Sequence, residues 1–123
     1  MIAEWTQDTT SLFNQISRWS YDEGWHVESE IEYVDLPDRH EDMEKHGFRV
    51  TTPEGRIHID PAGSREDGTA IVNMYAWPTL VRIRLLHMPG SPVWKPVTDV
   101  GMELRYDWNQ QDFIRLAQDM LTA

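Results

Sequence analysis

Near the middle of the chain two short alternating segments meet at a tight turn. Phe48 and Val50 alternate with Arg49 and Thr51, Pro53-Glu54-Gly55 reverses direction, and Ile57 and Ile59 alternate with Arg56, His58 and Asp60. A period of two puts the apolar residues on one face of a strand and the polar ones on the other. Gly55 stands where a tight turn takes positive φ, so the unit predicts a β-hairpin. A hairpin commits the sheet to antiparallel pairing, because parallel neighbours need a crossover of a dozen or more residues.

The same period recurs on both sides. Trp25, Val27, Ser29, Ile31 and Tyr33 alternate with His26, Glu28, Glu30 and Glu32, predicting a strand over 25–34 with the odd-numbered side chains turned inward. Strands are also expected over 69–76 and 80–86, with Val81, Ile83 and Leu85 opposite Arg82 and Arg84. Weaker strand signals lie at 93–97, where Pro96 argues for an edge, and at 102–106. Segments 35–46 and 61–68 read as loops, the first very polar and with room for a helical turn at Pro37.

Both ends of the chain read as helices. Leu12, Phe13, Ile16 and Trp19 form one stripe, with Thr6 or Asp8 as cap and Gly24 as stop. Near the end, Asn109 is placed as an N-cap. Asp112 falls three residues on, and Trp108 and Phe113 sit where a hydrophobic staple would join them. Phe113, Leu116, Ala117, Met120 and Leu121 continue the apolar stripe. The expected fold is α+β: one meander-like antiparallel sheet of five to seven strands, covered on one face by the two helices. At 123 residues, with no repeat or linker, 1–123 reads as a single domain.

Charge is unevenly placed. Residues 22–46 hold ten acids against Arg39 and Lys45, which is −8 of the chain's −10. The rest, with eleven acids and nine bases, is nearly balanced. This balance argues against direct nucleic-acid or anionic-lipid binding, which would need phosphate neutralisation. No apolar run reaches the roughly 18 residues of a membrane helix. No leader is visible in the opening residues, so a soluble cytoplasmic protein is the default expectation. There is no Cys, hence no disulfide, thiolate ligand or thiol nucleophile.

Four groups of residues are candidates for function. The first is the glutamate row Glu28, Glu30 and Glu32, which together with Trp77 would form an acidic docking surface for a basic protein. Adjacent glutamates at strand spacing repel by only about 0.6 kcal/mol in water, so the fold tolerates them. Trp77, before Pro78 at a strand-to-strand turn, would present an anchoring ring. The ordinary account of the same row is a solvated face whose glutamates lie near Arg49, Arg56, Arg82 and Arg84.

The second group is the loop with His40 and His46, whose imidazoles and carboxylates are suitable metal ligands without a diagnostic spacing. The third is His58 and Asp60, joined by His26 and Glu28, as an acid–base or metal-assisted catalytic pair. The fourth is the aromatic set Tyr75, Trp77, Trp94, Tyr106 and Trp108, ordinarily core-closing. There is no phosphate-binding Gly-rich loop and no Gly-x-Ser-x-Gly elbow.

The expected function is a small acidic protein-binding module, not an enzyme and without a cofactor. A metal-assisted hydrolase or nuclease using strand-borne carboxylates and histidine is the alternative. Self-association is expected only if the second sheet face proves apolar in places.

Overall fold

A computed structural model describes residues 7–36 and 41–123, leaving aside the side chains of 7, 8, 30–36 and 41–46. It contains α1 (Gln7–Asp22), β1 (His26–Leu36), β2 (Glu41–Thr52), β3 (Gly55–Ser64), β4 (Ala70–Trp77), β5 (Arg82–His87), β6 (Lys95–Thr98) and α2 (Gln110–Thr122). The six strands form one sheet in the order β1-β2-β3-β4-β5-β6, and every neighbouring pair is antiparallel. The expected α+β meander between two helices is the observed fold.

The inward face is built from complete cross-strand rows. Phe48, Ile59, Met74 and Ile83 are mutual register partners and buried. Val50, Ile57 and Ala76 form the next row, and Pro61, Val72, Leu85 and Pro96 the row on the other side. Side chains directly opposite one another pack against each other, so each row acts as one apolar bar. Leu12 and Ile16 of α1 and Phe113, Leu116, Ala117, Met120 and Leu121 of α2 close over these bars. Both helices lie on this one face, and among the described residues no helix covers the other, open face.

The helix ends follow from local chemistry. Asn109 Oδ1 accepts the Asp112 backbone N–H at 2.8 Å, satisfying one of the first-turn donors of α2. Trp108 meets Phe113 edge to face at 6.0 Å, as a staple does. At the end of α1, Trp25 N–H donates to the Ser20 carbonyl and Gly24 N–H to the Tyr21 carbonyl. These are the two bonds of a Schellman stop. The proposed caps at the start of α1 fare differently. Thr6 lies outside the described residues, and Asp8 lies within the helix, which already begins at Gln7.

Some expected boundaries are corrected. Residues 35–46 are not a loop at their ends: β1 runs through Leu36 and β2 starts at Glu41, paired from His26↔Thr51 to Leu36↔Glu41. Backbone hydrogen bonding between the two strands carries this pairing past the apolar pattern, which is why hydropathy did not mark it. Residues 37–40 lie outside the description. β3 continues to Ser64, with a register shift between Pro61 and Gly63, where a loop was expected. Of 102–106, only Glu103 makes a bridge, to Val97, rather than forming a strand. Among the described residues no helix is long and apolar enough to cross a membrane.

Candidate functional site

The open face carries its own rows. Glu28, Arg49, His58, Tyr75 and Arg82 are successive register partners across β1 to β5. The next row runs Gly47, Asp60, Asn73, Arg84 and Val97: β3–β4, β4–β5 and β5–β6 pairings join its last four members, and Gly47 flanks Asp60. A hollow of about 530 Å³ lies over β3, β4 and β5 and reaches Asp99 beyond β6. His58, Asp60, Asn73, Tyr75, Arg82 and Arg84 supply its polar lining.

Several of these groups are held by neighbours. Arg49 forms an ion pair with Glu28 across the strands, and His26 Nε2 lies 2.9 Å from the other Glu28 oxygen. The hydrogen bond from Arg49, followed by that from His26, holds the Glu28 carboxyl below its ordinary value. His58 and Tyr75 rings are 5.9 Å apart, and the Arg82 guanidinium lies 5.0 Å from the centre of the Tyr75 ring. The Asp60 carboxylate folds back over Gly47. A β-carbon at Gly47 would come within 2.0 Å of Asp60 Oδ1, so the absence of a side chain there is what lets the carboxylate lie across β2.

The Glu28 pair is a measurable feature. Because its folded pKa is lowered, the pair contributes stability above the ordinary carboxylate range, and that contribution disappears as pH falls through the lowered value. Arg49→Gln is expected to move the Glu28 titration, followed by carboxyl NMR shifts, back up toward the ordinary range. An unchanged titration would show that Arg49 does not hold the carboxylate in solution.

The structure brings together some of the residues singled out from the sequence and leaves others apart. His58 and Asp60 share the hollow, with Asp99 as a second acid. Glu28 lies two strands away, paired as above. The backbone sets Glu30 opposite Gly47 and Glu32 opposite Lys45, but both side chains are outside the description. His46 pairs with Ile31 in the β1–β2 ribbon and its side chain is likewise outside it; His40 lies outside the described residues altogether. Among the described residues no group of three or more His, Asp or Glu is placed to hold a metal ion.

Trp77 ends β4 opposite Arg56 and is 45% exposed, beside the cis peptide bond to Pro78. Of the other aromatics, Trp94 is buried against His87, with ring centres 5.0 Å apart, and Trp108 packs on Trp19 at 5.2 Å. These two close the core, as their ordinary reading holds. Asn73 and Asp99 were not marked by sequence reasoning. Asn73 alternates correctly between Val72 and Met74, but its importance depends on facing Arg84. Asp99 enters only through the turn after β6.

Together these features describe an α+β sheet-and-helix protein with one helix-covered face and one polar face that carries a hollow. Comparison with known proteins finds no matching family model, no matching curated protein and no matching solved structure.

Proposed function

We propose that this chain is a protein-binding module whose working surface is the open face of its sheet. The observation that carries this reading is the hollow over β3 to β5, lined by side chains held in register by paired strands. Binding sites are typically concave, with a few placed polar groups on a firm scaffold. The chain's −10 charge, concentrated in 22–46, would steer a basic partner toward the molecule. The β1–β2 pairing sets much of that acidic stretch at the edge of the same sheet.

The test compares the native chain with Asn73→Trp, which fills the hollow from an exposed position. Capture from native lysate is run at low and high salt. The native chain is expected to enrich basic proteins at low salt and lose them at high salt, because exposed charge attraction is screened. The variant is expected to enrich fewer at low salt while melting at the same temperature. No basic protein enriched at either salt, or identical capture by the two chains, would reject the reading.

A metal-assisted hydrolase or nuclease is the second reading, favoured by His58, Asp60 and Asp99 lining one hollow. Arg82 and Arg84 on the same wall oppose it, since two guanidiniums repel a divalent cation. A rise in melting temperature with Mn²⁺ or Zn²⁺ would support it, because a native-state ligand stabilises by mass action. Unchanged melting would remove it.

A further inference from the structure

We infer that the hollow on the open face is a carboxylate-binding site in which Arg82 and Arg84 grip one anionic group. The inference rests on the open face being the working surface and assigns that surface its ligand chemistry.

Arg84 is the central observation. It is half-buried, and its cross-strand neighbours are Asn73 and Val97, neither charged. Among the described residues it makes no ion pair and no hydrogen bond, unlike Arg49, which is matched by Glu28. The nearest acid along its row, Asp60, leans the other way, over Gly47. A guanidinium that faces a hollow without an ion-pair partner is free to donate to an incoming anion.

Arg82 lies two residues away on the same face of β5, at a strand spacing of about 6.5–7 Å. Its guanidinium carbon lies 5.0 Å over the centre of the Tyr75 ring. A guanidinium held over a ring can still donate hydrogen bonds from its N–H groups. Asn73, opposite Arg84, adds an amide donor. The site therefore offers two forks and an amide around one hollow.

An acid in the wall selects the kind of anion. Asp99 lines the same hollow from an exposed position, so a doubly charged phosphate meets a like charge there. A singly charged planar carboxylate suffers less and matches the two-pronged geometry of a guanidinium. Extended polyanions are further opposed by the −10 of the whole chain. The carboxylate comes either from a small free acid or from a peptide, and the two sources are separable by experiment.

The experiment titrates the ¹⁵N-labelled full chain with acetate, N-acetylglycine, N-acetylglycinamide and inorganic phosphate, reading backbone amide shifts. Saturable shifts centred on Asn73, Arg82 and Arg84 are expected for the two carboxylates and not for the amide. N-acetylglycine binding tighter than acetate assigns a peptide-borne group; equal binding assigns a small acid. Arg84→Gln and Arg82→Gln are each expected to weaken binding about tenfold or more, as loss of a charge-assisted pair does, and Arg65→Gln, outside the hollow, not at all. Asp99→Asn, at an exposed position, is expected to tighten it about twofold. The spectra themselves report whether each variant is folded.

Three results overturn the inference: no shift at these residues with either carboxylate, equal shifts with the amide, or tighter binding of phosphate. If that happens while Asn73→Trp still abolishes partner capture, the open face stands as the working surface and only its ligand chemistry falls. If capture is also unaffected, both fall.

Discussion

Replacing Gly55 with alanine is expected to destabilise the protein by about 3–5 kcal/mol and to lower its melting temperature by about 10–20 °C. Gly55 closes the β2–β3 hairpin at φ +155°, outside the range that residues with a side chain favour. A β-carbon there would lie 2.2 Å from the Trp77 carbonyl oxygen and 3.1 Å from both Pro78 Cδ and Leu121 Cδ2. The closest of these is a backbone atom and cannot swing aside. The turn is also fixed from within, because Thr52 Oγ1 accepts the N–H groups of Glu54 at 3.1 Å and Gly55 at 3.2 Å. The hairpin, the β4–β5 turn and the end of α2 thus meet at one point, so relief of the clash must move three elements. Thermal and urea unfolding followed by circular dichroism would measure it. A loss under about 1 kcal/mol would mean that the hairpin turn does not lie against Trp77 in solution.

Phe113→Ala is expected to cost about 3–5 kcal/mol, the usual range for removing a buried aromatic ring. Phe113 is 1% exposed and lies 5.7 Å from the Trp19 ring and 6.0 Å from Trp108. Trp108 Nε1 in turn donates to Gln15 Oε1 at 2.6 Å, which ties the segment before α2 to α1. The ring is therefore the joint between two helices that contribute to the same core. Truncation opens a cavity there and lets both tryptophans lose their fixed surroundings. Urea unfolding should show a lower midpoint at unchanged slope, and near-ultraviolet circular dichroism should lose part of its tryptophan signal. A cost below about 2 kcal/mol, or an intact tryptophan signal, would argue that α1 and α2 are held together elsewhere.

Much of the scaffold was readable without coordinates because its signals are local. The hairpin around Gly55, the cap at Asn109, the staple of Trp108 on Phe113 and the stop at Gly24 each depend on residues within a few positions of one another. Pro96 pointed to an edge, and β6 is the last strand of the sheet. The alternation proposed from Trp25 holds from Trp25 to Glu28 and fails at Ser29: Trp25 is buried, Val27 half-buried, His26 and Glu28 exposed, but Ser29, expected to turn inward, is exposed. The polar ends of β1 and β2 escaped notice because they are held by paired backbone, and hydropathy carries no record of that.

The candidate site was legible only in part. Arg82, Arg84, His58 and Asp60 were assigned outward positions from alternation, and the pairing of glutamate with arginine across strands was anticipated for Glu28 and Arg49. Which outward residue faces which is a different matter. A shift in the register between β4 and β5 would set Arg84 against a neighbour other than Asn73, with no change in either strand's own pattern.

The amino-acid order alone determined the period of each strand, the antiparallel turns and the helix ends, because these follow from backbone sterics and short-range hydrogen bonds. Only the tertiary structure decided that β3, β4 and β5 align two guanidiniums, an amide and an imidazole around one hollow, and that Asp60 folds over Gly47 while Arg84 makes no ion pair among the described residues. Those relations join residues far apart in the chain through sheet register, which no local pattern encodes.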